Sequence, residues 1–513
     1  MIFVRKSSAR LIVATTAFCA ALSGCTVGPD FLRPKAPQTE NYLPEAPPAE
    51  LVAAGIPGGE AQEIVRNLDI PGQWWQVFQS RPLNSLIEHA LVANPDIQAA
   101  EAALRIAQAN ARATRGTLFP TVGLNAGGSQ NQNPASLQSP TADNAQNYSL
   151  YTAGVTVSYT LDVFGGIRRS VESFDALAEQ QCFQLEAAYL TLASNVVTAA
   201  LTEASLRAQI DAIERIIAAQ RQTLDILQRQ SGLGAIPGGD VATQQAALAQ
   251  VEATLPPLQK ALAQQRNLLA TLSGRLPSQA LAERFSLDEI TLPHELPLSL
   301  PSKFVEQRPD VRAAEANIHA ASALVGVAAA NQLPQITLNA GVSSAALTLG
   351  SLFGPGLIAS TIGMNVLQTV IDGGTLAAKK RAAYAALDQA DAQYRSTVLT
   401  AFRNVADTLR ALEYDAIALK ATVTAENASA TSLDIARRRL DLGDTTYVFV
   451  LSAQLLYQQA LLARVQAQTN RYMDTAALFQ ALGGGWWNRN LEAPEAERLR
   501  CRPSKAATTP VPR

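Results

Sequence analysis

Pro95-Asp96-Ile97-Gln98-Ala99-Ala100-Glu101-Ala102 returns 214 residues later as Pro309-Asp310-Val311-Arg312-Ala313-Ala314-Glu315-Ala316. The match continues without a gap through Pro120 and Pro334 to Leu124-Asn125-Ala126-Gly127 and Leu338-Asn339-Ala340-Gly341. It gives 14 identities in the 35 positions from 95 to 129. Abundant alanine produces chance identities, but it does not hold prolines and glycines in register. Gly165-Gly166 then matches Gly373-Gly374 at an offset of 208, and Gly234 matches Gly443 at 209. The chain is two copies of one unit.

Each copy reads helix, strand, strand, long helix, turn, helix. After Pro120, Val122, Leu124 and Ala126 alternate with Thr121, Gly123 and Asn125. The next strand is cleaner: Val155, Val157, Tyr159, Leu161 and Val163 alternate with Gly154, Thr156, Ser158, Thr160 and Asp162, one oily and one polar face. In the second copy Ile336, Leu338, Ala340 and Val342 form the oily face. Ile362, Met364 and Val366 keep phase until Leu367, where a bulge is expected. About ten residues per strand suit a tilted transmembrane strand, yet four strands cannot close a barrel. Closure is expected from several chains.

From Ile167 to Ser231 there is no proline or glycine. Leu185, Tyr189, Leu192, Val196, Ala199, Leu206, Ile210, Ile213, Ile217, Leu224 and Leu227 follow a three-and-four spacing that only Glu203 and Gln220 interrupt. This is a coiled-coil seam on a rod of roughly 100 Å. Thr375 to Leu440 predicts a second rod, with Leu387, Tyr394, Val398, Ala401, Val405, Leu412 and Leu419 on its seam. Flanking helices about half as long are predicted near Leu83–Leu118, Asp240–Ser273, Ser302–Gln332 and Tyr447–Leu482, so that two laid end to end match one rod.

Composition narrows the function. With 41 basic and 43 acidic residues among 513, the formal charge of -2 gives no reason to expect a nucleic-acid partner. The four cysteines show no metal-binding spacing, and His89, His294 and His319 stand far apart, so no metal or cofactor is implied. Cys182 and Cys501 lack the neighbours that make a reactive thiolate. No nucleophile, base and orienter assemble from any motif, so an enzyme is not expected.

The N-terminus carries an address. Arg5, Lys6 and Arg10 precede the apolar stretch Leu11 to Leu22, too short to remain as a membrane helix, and Leu22-Ser23-Gly24-Cys25 resembles a bacterial lipobox. Cleavage there leaves Cys25 acylated, and Thr26 after it favours the outer membrane. Beyond this signal no run of 18 apolar residues occurs, so any further crossing is expected to be a β-barrel. Gly28 to Pro71, rich in proline, is expected to be extended and not folded.

Together these residues resemble an outer membrane factor, the TolC-like family, and especially its NodT/OprM-type lipoprotein branch. The resemblance rests on Cys25-Thr26-Val27-Gly28-Pro29-Asp30, Trp74-Trp75 with Phe78, Asn94-Pro95-Asp96-Ile97, Phe119-Pro120 and Leu161-Asp162-Val163-Phe164-Gly165-Gly166. It extends to Arg308-Pro309-Asp310-Val311, Leu451 with Ala453-Gln454, and Ala481-Leu482-Gly483-Gly484-Gly485-Trp486.

It implies a mainly α chain with a β-barrel part: two tandem repeats, a periplasmic α-barrel of long coiled-coil helices, and four transmembrane strands per chain. A homotrimer then has twelve strands. The implied layout is a signal peptide at 1–24, an acylated extended segment with an equatorial part at 25–82, and a first repeat at 83–300 with a hairpin at 120–164 and helices at 167–231 and 240–273. A second repeat follows at 301–485 with a hairpin at 334–372 and helices at 375–440 and 447–482, then a flexible tail at 486–513. Trp74, Trp75, Trp486 and Trp487 are expected to pack in the equatorial belt.

The implied role is the exit duct of a tripartite efflux system, joined to a periplasmic adaptor and an inner-membrane pump; the alternative is the conduit of a type I protein secretion system. The low charge of the rods suits a water-filled lumen. The turns Gly232–Gly239 and Leu440–Thr446 form the tip, and Leu440, Asp441 and Asp444 are the expected periplasmic gate.

Overall fold

The computed structural model describes residues 26–134, 136, 145–279 and 281–489; Cys25 and the residues from 490 onward lie outside them. The elements in order are β1 (Glu63–Arg66), α1 (Arg81–Ala93), α2 (Pro95–Gly116), β2 (Thr121–Gln132), β3 (Asn147–Leu161), α3 (Gly166–Gly232) and α4 (Gly238–Leu272). The second copy follows as β4 (Glu295–Leu298), α5 (Pro301–Gln307), α6 (Pro309–Ala330), β5 (Gln335–Ala346), β6 (Ile358–Leu367), α7 (Thr375–Asp441) and α8 (Tyr447–Ala481).

The rods α3 and α7 each have 67 residues. Every seam position read from the sequence is buried or half-buried, including Leu192, Val196 and Ile213 on α3 and Val405, Leu412 and Leu419 on α7. Both interruptions are buried as well. Glu203 accepts from Arg207 on its own helix and from Arg266 on α4 at 2.9 Å. A charge inside a seam survives when it is paired in this way.

The flanking helices differ from the expectation. Leu83–Leu118 is not one helix, because Asn94 is extended (φ -69°, ψ 127°) between α1 and α2. Ser302–Gln332 is likewise broken at Arg308, between α5 and α6. The physical cause is Pro95 and Pro309, whose rings push the preceding residue out of the α region. Pro256 and Pro257 do not have this effect inside α4, which runs through them.

These breaks let helices stack. The Asn94 side chain donates to the Leu272 carbonyl at the end of α4 (2.9 Å) and accepts from the Asp96 amide at the start of α2 (2.8 Å). In the second copy the Arg308 guanidinium donates to the Ala481 carbonyl at the end of α8 (2.8 Å). Helices α4 and α2 therefore make one composite stave, and α8 and α6 another. The α3 rod packs between these two staves, and α7 packs against α8 and α6 on the far side. The order across the wall is α4–α2, α3, α8–α6, α7.

By length and mean hydropathy α8 could cross a bilayer, although it contains no run of 18 apolar residues. It nonetheless lies along α7 as a wall stave, and its apolar surplus is exposed at Val448, Leu455 and Leu456.

The proline-rich N-terminal stretch is extended but not unfolded, a second correction. Its amide at Val27 donates to Phe164 at the junction between β3 and α3. It then descends past α6, with Asp30 paired to Arg169, Arg33 to Glu315, and Tyr42 against Phe304 and Phe402. Leu51 and Ile70 are buried in the main core, and β1 pairs parallel with β4. Arg471, fully buried on α8, holds this strap through the carbonyls of Val52 and Glu60 and the side chain of Gln62. Trp74 stacks on Phe479, and Trp486 meets Phe183 edge-on, so the tryptophans gather at this middle level.

The tail from 486 is packed at its start. Trp486 donates to the Gln307 carbonyl, Asn488 to the Ile70 carbonyl, and Arg489 pairs with Glu186. Its remainder lies outside the described residues. Cys182 sits buried beside Leu104 and Leu185.

Candidate functional site: the sheet wall and the tip turns

Four strands form one antiparallel sheet in the order β2-β3-β5-β6. Their register sorts the side chains by face. Val122, Val157, Ala340 and Ile362 stand abreast, as do Leu124, Val155 and Val342. One residue along, on the other face, are Gly123, Thr156, Gly341 and Thr361, then Asn125, Gly154, Ser343 and Ala359. The apolar face is bare to solvent, with Ile362 91% and Leu124 85% exposed. Such a surface belongs in lipid, and the face of small and polar residues suits the wall of an aqueous channel. No bulge occurs in β6: its pairing with β5 is unbroken from Ile358 to Leu367, and the slip in the sequence pattern is the strand's end.

The sheet is open at both sides. Among the described residues each outer strand, β2 and β6, has a neighbour on one side only, leaving backbone donors and acceptors unused on the other.

Where strand becomes helix, the two copies use one device. Asp162 accepts from the amides of Ile167 and Arg168, and Asp372 accepts from those of Gly374 and Leu376. These bonds satisfy orphan donors at the helix start. They hold the Asp372 carboxyl below its usual range. Gly165 (φ 77°) and Gly374 (φ 87°) precede the helices in the left-handed region, and a side chain on Gly165 would strike Thr26.

At the opposite end the rods reverse through Gly234 (φ 76°) and Gly443 (φ 75°). Of the three expected gate residues, Leu440 is half-buried and packs with Leu433, Ala436, Val450 and Ala453. The Asp444 carboxylate accepts from Arg439 at 2.9 Å, and the same guanidinium reaches the Asp444 carbonyl. Asp441 is exposed with no ion-pair partner among the described residues. The structure brings all three to one turn, but gives each a different environment.

Sequence reasoning missed the link between the two turns. The Tyr447 hydroxyl, at the start of α8, donates to the Gln244 side chain on α4, and Gln244 donates to the Gln220 carbonyl on α3 at 2.9 Å. Burial pushes the Tyr447 phenol up to about 12, so it keeps its proton at neutral pH. Gln220 takes part through its backbone carbonyl, so its polar side chain in the seam gave no signal of this link, and neither did Tyr447.

A half-lipophilic sheet on a wall of long staves defines the subunit of an outer-membrane channel. The Outer membrane efflux protein family pattern matches residues 86–275 and 300–484, and the chain belongs to that family. It is 31% identical over 489 residues to the toluene efflux pump outer membrane protein TtgF of Pseudomonas putida, covering 92% of this chain and 96% of that protein. It is 30% identical over 420 residues to the pyoverdine export outer membrane protein OpmQ of Pseudomonas aeruginosa, covering 81% and 87%. The solved outer-membrane channel OprN superposes with a TM-score of 0.79 at 28% identity, covering 90% of this chain and all of that one. The fold is the TolC-like one, and the function is that of an outer-membrane efflux channel.

Proposed function

We propose that three copies of this chain close one duct, with β6 of each pairing to β2 of the next to give twelve strands and twelve helical staves. The open-edged, two-faced sheet carries this reading. Four strands cannot close, and unpaired edges inside a membrane are not tolerated. The staves agree: Leu399 and Ile417 on α7 and Ile106 and Leu268 on the α4–α2 stave are exposed apolar residues on the two outer staves of the wall.

The duct receives drugs or other small toxic molecules from an inner-membrane pump through a periplasmic adaptor. The names of TtgF and OpmQ, which describe export of small molecules, favour this cargo over secreted protein. Acyl chains on Cys25 anchor each copy in the outer membrane. Thr26 and Val27 lie at the strand-to-helix junction, the level at which a lipid-linked residue meets the bilayer surface. Leu440, Asp441 and Asp444 form the gate at the periplasmic tip.

Paired cysteines along β2 and β6 test the assembly. Oxidation should link copies into a covalent ladder that stops at three, and the purified species should conduct ions in planar bilayers. A monomer that passes no ions overturns it.

A further inference from the structure

The two strand hairpins end in loops of opposite chemistry. The first hairpin enters its loop through Gln130-Asn131-Gln132-Asn133 and leaves it through Gln146-Asn147, as a loop in water does. The second hairpin turns through residues 347–357, where five of the eleven side chains are Leu or Phe. No Asp, Glu, Lys or Arg occurs between Glu315 and Asp372, so nothing charged offsets them.

The β5–β6 loop has a fixed course. It winds through one tight turn at Leu349–Ser351, where the Leu352 amide donates to the Leu349 carbonyl (3.3 Å) and the Gly354 amide to the Ser351 carbonyl (2.8 Å). Leu352 is buried, and its carbonyl accepts from the Ser344 hydroxyl. Ser344 stands abreast of Ala153 and Ile358, two residues along from Val342, and so lies on the oily face of the sheet. It is only 5% exposed there, although that face is otherwise bare. The loop therefore bends back over the oily face and away from the polar one.

This course leaves Leu349 and Phe353 uncovered, 68% and 79% exposed, next to the exposed Ile358 of the sheet. Apolar side chains left bare together mark a surface that meets another apolar phase. Here they continue the band that the sheet already turns toward lipid.

On the reading of the sheet as part of a membrane duct, we propose that the β5–β6 loop is a lipid-binding pad. It lies against the outside of the barrel and sinks Leu349 and Phe353 among the acyl chains of the outer leaflet. The leaflet follows from the chain path: β5 and β6 join the helices α6 and α7 at their other ends, so the loop stands at the end of the sheet away from the staves. Leu and Phe at the boundary between headgroups and acyl chains bind by burying apolar area, with no need for charge. One pad on each copy sets the depth of the duct in its membrane and resists tilting.

The test reconstitutes the full assembly of the Phe353→Trp variant in phosphatidylcholine vesicles. The added emission is read as the difference from the parent protein, whose four tryptophans lie at the equatorial level. Lipids with brominated acyl chains should quench most of that added emission, and aqueous iodide should leave it. Ile362→Trp, on the oily face itself, is the control for the sheet and should respond in the same way. Leu349→Ser/Phe353→Ser alters only exposed positions and should leave single-channel conductance unchanged.

If iodide quenches the emission added by Phe353→Trp while bromolipid quenches that of Ile362→Trp, the pad is overturned and the duct stands. If bromolipid quenches neither, the duct reading falls and the pad with it. A changed conductance in the double serine variant also overturns the pad, because it puts the loop at the channel mouth.

Discussion

The Asn94 side chain spans the end of α4 and the start of α2, its amide nitrogen 2.9 Å from the Leu272 carbonyl oxygen. One residue thus caps two helices whose chain positions lie 178 apart. Asn94→Ala removes an N-cap and strands a carbonyl, a loss of roughly 1–2 kcal/mol. Thermal unfolding followed by circular dichroism should show a lower midpoint with unchanged helix content. A midpoint equal to that of the parent protein counts against the stacked-stave description.

Glu203 is the second stability determinant. It is fully buried, and one carboxylate oxygen serves both Arg207 and Arg266. Glu203→Gln keeps the shape but leaves two guanidiniums without a counter-ion, which should cost roughly 3 kcal/mol. Denaturant unfolding of the variant should shift accordingly; an exposed control, Glu214→Gln, should not.

Acid titration offers a third check. Burial, together with the Asp415 carboxyl beside it, pushes Asp474 up to about 7. The folded protein therefore holds a proton that the unfolded chain releases near pH 4. Its stabilising effect is complete below that pH and is lost as pH rises toward 7. Asp474→Asn should flatten the fall in stability between pH 4 and 7 and exceed the parent protein at pH 8. A parallel pH profile for variant and parent removes Asp474 as the cause.

The sheet's two faces predict opposite phenotypes for neighbouring residues. Ile362→Arg places a charge in lipid, a cost of roughly 2–4 kcal/mol near the midplane, and should reduce membrane insertion. Gly363→Arg points to the other face, where an added side chain meets nothing within 4 Å. It should insert normally and lower cation conductance. The reverse outcome inverts the assignment of lumen and lipid.

At the tip, Asp444→Ala frees Arg439 and loosens the turn, while Asp441→Ala removes an unpaired charge. The double variant should conduct more in its closed state and select cations less. Tyr447→Phe, which cuts the bond to Gln244, should also raise closed-state conductance. Unchanged conductance and selectivity in planar bilayers would take these residues out of the gate.

The two-copy plan, the rods and the sheet's faces were legible because each repeats a period over many residues: the Leu192–Val196 seam, and the alternation from Val155 to Leu161. The helix breaks before Pro95 and Pro309 had a local signal that periodicity overrode. The packing of Trp486 to Arg489 and the Tyr447–Gln244 link had none, because each joins residues 179 or more apart through one side chain. The tip is the least legible part for a different reason, since its contact is local. Asp441 and Asp444 look alike in sequence, and only the fold sets Arg439 beside one of them.

The unfinished rims of the sheet have a genetic consequence. If neighbouring copies complete the pore as proposed, the quality of every copy matters, and an allele damaged along β2 or β6 should poison ducts built with sound copies. On the same proposal a lone chain should perforate nothing, so newly made protein should cross the periplasm without leaking ions on the way.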